Sequence, residues 1–195
     1  MRDKYGVEQD TYCYSESTVL KNLLNIRNLE ELEEAEAEFI LTRVQSYEPI
    51  FTNFDLNHLK TIHYHLFQDL YSWAGQIRTV DISKGNSRFC TTSRIEPEAE
   101  KLLAALNETS LSTMNQDEVA STIAEFYCDL NVVHPFRDGN GRTQRLFFDE
   151  FVGNHHYKIN WDLVSRDEWV EANIAGFHCD YSLMTHIFAR TIYSY

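Results

Sequence analysis

His134-Pro135-Phe136-Arg137-Asp138-Gly139-Asn140-Gly141-Arg142-Thr143-Gln144-Arg145 is the stretch around which the rest of the chain arranges itself. A helical pattern carrying Val119, Ile123, Phe126, Tyr127 and Leu130 runs into it. Pro135 stops that helix, because proline lacks the donor and its ring clashes with the preceding turn. Gly139 and Gly141 then loosen the backbone, and Leu146, Phe147 and Phe148 open a new apolar helix from about residue 140. Helix, glycine loop, helix is therefore the local reading.

Outward from this stretch, the three- and four-residue periodicity of an amphipathic helix recurs. It predicts helices over Leu29–Val44, over Asp55–Trp73 with Gly75 as cap, and over Pro97–Leu106. Further helices are expected from Asn115, which caps a first turn holding Asp117 and Glu118, and over about 140–152, 166–175 and 182–192. Between Ile77 and Thr92 the pattern changes to alternating β-branched and polar residues around Lys84, Gly85, Asn86 and Ser87, which reads as a β-hairpin. The fold expected is mainly α with one hairpin, in a single domain over residues 1–195. His58, His63 and His65 lack the spacing of a zinc helix and are read as structural or exposed.

Charge limits the function. With 17 basic against 30 acidic residues the formal net charge is −13, which argues against direct nucleic-acid binding but not against a local phosphate site. The glutamates crowding Leu29–Val44 read as a solvated helix face. The four cysteines are far apart and form no Cys-x-x-Cys pair, so they read as reduced thiols. No apolar run reaches the ~18 residues of a membrane span or resembles a signal peptide at Met1, so a cytoplasmic protein without membrane contact is expected.

The chemistry follows from residue types. A glycine loop entering a helix presents backbone N–H groups that suit an anion. Arg137, Arg142 and Arg145 add planar cations matched to phosphate oxygens. Asp138 is a candidate Mg²⁺ carboxylate, and His134 titrates near neutrality and suits a general base. Together they describe nucleotidyl or phosphoryl transfer. An EF-hand is excluded, because Thr143 and Asp149 stand where its glycine and glutamate belong, and no P-loop is present.

Residues 134–145 resemble the complete Fic motif, including its second arginine, Arg145. The stretches Leu70–Arg78 and Val80–Gly85 resemble that family's helix end and flap, and the likeness covers nearly the whole chain, with a motif-bearing core at about 55–190. The resemblance implies a Fic-type helical bundle with a flap at about 79–91, and transfer of AMP from ATP to a hydroxyl of a target protein. It implies that His134 deprotonates the hydroxyl and that Asp138 holds Mg²⁺. It further implies that amides around Gly139, Asn140 and Gly141 form the anion hole, and that Arg142 and Arg145 reach the outer phosphates. The flap would clamp the target segment by strand addition, with Lys84 and Gly85 touching the nucleotide and Asn173 approaching the adenine.

Many members of that family carry an inhibitory Ser/Thr-x-x-x-Glu-Gly/Asn helix whose glutamate pairs with the second arginine. Neither end of this chain contains it. The resemblance then implies a toxin restrained by a separate small antitoxin, which would offer its glutamate to Arg145. Transfer of UMP or phosphate, removal of AMP, and a non-catalytic module with the same fold are the alternatives that the motif leaves open.

Overall fold

The computed structural model describes residues 10–50, 53–85 and 87–194. Asn86 of the hairpin turn and the first residues from Met1 lie outside the described residues. Helices dominate: α1 Leu29–Gln45, α2 Leu56–Phe67, α3 Ile95–Asn107, α4 Gln116–Val133, α5 Asn140–Asn154, α6 Arg166–Phe177 and α7 Ser182–Thr191.

Caps fix the starts. Asn28 accepts from the amides of Glu30 and Glu31 at α1, and Asp55 accepts from His58 N–H at α2. Asn115 and Glu118 form a reciprocal capping box at α4. α4 is the central helix. Its buried Val119, Ala120, Ile123, Ala124, Tyr127 and Leu130 make a stripe too wide for one neighbour, and it packs against α3, α5, α6 and α7.

Two expectations need correcting. α2 ends at Phe67 instead of running to Trp73. Leu70, Tyr71, Trp73 and Ala74 are all buried, so the apolar spacing continues, but the backbone tightens into three-residue turns (Leu70 N–H to Phe67 O at 3.0 Å, Ala74 N–H to Tyr71 O at 3.1 Å) that wind the chain off the helix. Gly75 closes that turn at φ +74°, where an added Cβ would meet Tyr64 Cβ at 2.9 Å. The hairpin is also not the only strand pairing. β1 Ser83–Lys84 pairs antiparallel with β2 Ser87–Arg88, and β3 Tyr157–Ile159 pairs with β4 Ile192–Ser194 beyond α7. Of the three histidines, His58 and His63 are buried; His58 meets Glu150 at 2.9 Å, and His65 meets the Arg43 carbonyl at 2.8 Å.

Candidate active site

α4 ends at His134, which adopts the left-handed conformation at φ +47° while its N–H still bonds Leu130 O at 3.1 Å. Pro135 explains the departure, since a residue before proline is pushed out of the helical region. The ring is held from two sides. Nδ1 lies 3.0 Å from the Asn131 carbonyl, which can only accept, so Nδ1 carries the proton and Nε2 keeps its lone pair. Phe89, just past β2, stacks on the imidazole with centroids 3.9 Å apart. Burial pushes the His134 pKa down to about 4, opposed by the Asn131 contact and helped by the nearby charges of Arg78 and Lys84. Near neutral pH the imidazole is an uncharged acceptor.

The loop that follows is clasped from inside. Asn140 Oδ1 accepts from Phe136 N–H and its Nδ2 donates to Phe136 O, both at 2.8 Å. Its side chain is thus turned into the loop, and only its backbone amide remains for an anion at the start of α5. His63 Nδ1 accepts from Gly75 N–H at 2.8 Å, which leaves Nε2–H to donate to the Asp138 carbonyl at 3.0 Å. Stacked on Phe136 and Phe67, His63 is kept neutral by burial, with its pKa at about 4.

The two glycines do different work. Gly139, at φ +77°, caps α5, and a Cβ there would stand 2.3 Å from the Phe67 ring. A Cβ on Gly141 meets nothing within 4 Å, so neighbouring protein does not require that glycine. No side chain caps α5, and its first-turn amides carry the positive end of the helix dipole.

The three arginines separate. Arg137 is buried and paired with Asp10, its Nε at 2.8 Å, so it ties the N-terminal segment to the loop and is not the third phosphate-facing cation expected. Arg142 lies over the Phe67 ring at 4.8 Å, 3.6 Å from Asp138 Oδ1 and 2.6 Å from Glu36 Oε1. Glu36 corrects the reading of α1 as a merely solvated face. A cavity of about 50 Å³ lined by Glu33, Glu36, Tyr71, Asp138 and Arg142 lies between α1 and the loop. Arg145 is exposed, and among the described residues it makes no ion pair; its Nε reaches Gly141 O at 3.4 Å. Asp138 is partly exposed and accepts from Gly139 N–H at 2.6 Å.

The flap places Lys84 and Gly85 at an exposed turn, Gly85 at φ +56°. Asn173 lies on α6 with its amide donating to Trp169 O at 2.7 Å, turned back along its own helix. Two residues of this site were not assigned to it from the sequence: Arg78, whose buried guanidinium donates to the His134 carbonyl at 2.8 Å, and His63, read there only as structural or exposed. A charged residue closing the apolar stretch Leu70–Ile77 was the available signal for Arg78.

Comparison with known proteins agrees with this geometry. Residues 53–152 match the Fic/DOC family model. The chain is 36% identical over 195 residues to a probable protein adenylyltransferase Fic of Escherichia coli K12, covering 98% of this chain and 96% of that protein. It is 37% identical to the protein adenylyltransferase VbhT of Bartonella schoenbuchensis, over 97% of this chain and 40% of that one. The N-terminal Fic domain of a putative cell filamentation protein from Bartonella quintana, solved with bound ADP, superposes with a TM-score of 0.86 at 30% identity, covering 94% and 95% of the two chains. With the loop from His134 to Arg145 set between α4 and α5, and with these relatives spanning nearly its full length, the chain belongs to the Fic/DOC family.

Proposed function

We propose that this chain is a protein adenylyltransferase that moves AMP from ATP to a hydroxyl side chain of a target protein. The observation that carries the reading is the tautomer of His134: Nδ1 is committed to Asn131 O, leaving Nε2 as an acceptor on the motif loop. The names of the full-length relatives and the ADP in the Bartonella quintana domain support the nucleotide and the reaction.

In the reaction, the hydroxyl oxygen bonds the α-phosphorus of ATP and its proton passes to His134 Nε2. The bond between that phosphorus and the α–β bridging oxygen breaks, and pyrophosphate leaves. The amides at Gly139, Asn140 and Gly141 receive phosphate charge, and Arg142 and Arg145 face the outer phosphates. Asp138 would hold Mg²⁺: it offers one partly exposed carboxylate, and among the described residues no cluster of three ligating side chains forms a complete protein cage. That donor set fits an ion that takes one or two carboxylates and completes its shell from substrate phosphates and water. The ion supplies charge neutralisation at the phosphate oxygens. Lys84 and Gly85 would touch the nucleotide from the flap, and Asn173 would reach the adenine on releasing Trp169 O.

We propose further that the chain is a toxin whose restraint comes from a separate antitoxin glutamate at Arg145, which is exposed and makes no ion pair among the described residues. An ATP-containing compartment such as the cytoplasm is where it would act.

The test is incubation of the purified chain with cell lysate and ATP labelled either at the α- or at the γ-phosphate. Retention of the α-label on a protein band, with the mass of one AMP on the modified peptide, is expected. Retention of the γ-label instead would overturn AMP transfer in favour of phosphate transfer.

A further inference from the structure

Arg78 is among the largest fully buried side chains of the described structure, yet its guanidinium is spent on backbone carbonyls. Nε donates to His134 O at 2.8 Å, and Nη2 donates to Val133 O at 3.4 Å. Its own backbone N–H donates to Pro135 O at 2.9 Å. One residue therefore holds three consecutive carbonyls where α4 breaks. That is where such acceptors lack intrahelical partners, and Pro135 brings no donor of its own.

The same guanidinium reaches both legs of the flap. Nη1 donates to Val80 O at 2.8 Å on the way into the hairpin, and Nη2 donates to Cys90 O on the way out. Asp81 Oδ1 stands at 4.0 Å and accepts from Thr92 N–H at 2.8 Å, bracing the base of the flap. Cys90 N–H in turn bonds Val132 O at 3.1 Å. Only a planar fork with five donors serves acceptors spread over that many directions; a lysine offers one point charge.

We propose that Arg78 is a positioning residue that fixes the flap relative to the His134 imidazole, and so sets where a docked target hydroxyl stands against Nε2. The proposal rests on the base role of His134 and on target docking at the flap. Misplacing reacting groups by about 1 Å can cost ~10²-fold, which is the scale of effect a loosened clamp should have on transfer. In the proposed reaction ATP is held chiefly by the start of α5 and its arginines, which make no bond to Arg78 among the described residues, while the flap adds only the contacts of Lys84 and Gly85.

The test compares the full chain with its Arg78→Met and Arg78→Lys variants. The reporters are calorimetric binding of Mg·ATP, hydrogen exchange of the flap amides, the ¹⁵N signals of the His134 ring, and AMP transfer to a lysate target. Arg78→Met is expected to keep ATP affinity within about threefold, speed exchange at residues 80–90, disturb the His134 ring signals, and lower transfer by ~10²-fold. Arg78→Lys should restore part of each, and it carries the test alone if the methionine variant does not fold. Unchanged flap exchange and ring signals, or ATP affinity that falls in step with transfer, would overturn the clamp. If the wild-type chain transfers no AMP, the functional reading fails, while the exchange and ring signals still decide whether Arg78 joins flap to histidine.

Discussion

Glu36 Oε1 lies 2.6 Å from Arg142 Nη1, while its second oxygen accepts from the Tyr71 hydroxyl at 2.6 Å. A carboxylate of α1 is thus already seated on the first arginine of the motif, beside Asp138. A triphosphate reaching Arg142 has to share or displace it. Glu36→Gln removes the negative charge and keeps the hydrogen-bonding shape. The expected outcome is tighter Mg·ATP binding by roughly threefold to tenfold, or about 1 kcal/mol for a partly exposed pair, read by calorimetry. Weaker binding would mean that Glu36 orients Arg142 for phosphate instead of competing with it. An isolated chain silent toward lysate proteins but awakened by Glu36→Gln would place restraint inside the chain and sink the separate-antitoxin reading.

His134 carries the second prediction. Its pKa is lowered from 6.5 to about 4, chiefly by burial. In the proposed reaction the neutral ring is the competent base, so transfer should be nearly flat with pH from about 6 to 8. Its acid limb should fall near 4 instead of near the ordinary histidine value. His134→Ala should lower transfer by roughly 10²–10⁴-fold with ATP affinity unchanged. An acid limb centred near 6.5 would show that the ring is more hydrated than its stack on Phe89 implies.

Gly139 and Gly141 are separated by one residue and should behave oppositely. Gly139→Ala meets both a positive φ and the Phe67 ring at 2.3 Å, so it should destabilise the fold by about 2–4 kcal/mol. Gly141→Ala meets no protein atom and gains helix propensity, so its stability should hold or rise, by up to about 1 kcal/mol. If the amide of Gly141 approaches phosphate, that same variant should bind ATP at least tenfold more weakly, a folded protein with a blocked site. Wild-type ATP affinity in Gly141→Ala would remove the close approach.

These contrasts show which parts of the molecule a linear reading reaches. Caps at Asn28 and Asn115 and the break at Pro135 are local chemistry, and the helices they bound were legible within a few residues. The loop from His134 to Arg145 was legible because its parts are contiguous. The pairs Arg137–Asp10, Arg142–Glu36 and Arg78–His134 were not, since they join positions 127, 106 and 56 residues apart. Nothing in the glutamate-rich face of α1 marks which glutamate turns inward. β3 and β4 have three residues each, too short to show a two-residue alternation.

Asp149 tests the electrostatics behind Arg145. Both its carboxylate oxygens lie 2.9 Å from Trp161 Nε1, and burial pushes its pKa up from 3.8 to about 7, against the opposing pull of the Trp161 bond and Arg145. Between those two values the folded chain binds more protons at this site than the unfolded chain does. Stability contributed by Asp149 is therefore lost as pH rises from about 4 through 7, the reverse of a salt-bridged carboxylate. Asp149→Asn keeps an acceptor for Trp161 without the charge. It should raise stability at pH 8 by about 1 kcal/mol, a Tm gain of about 2–4 °C, and the gain should vanish by about pH 4. A variant less stable than wild type at pH 8 would mean that the attraction between Asp149 and Arg145 outweighs the cost of burying the charge. In that case Asp149 would be a second internal counter-ion of the motif, behind Arg145 as Glu36 is before Arg142.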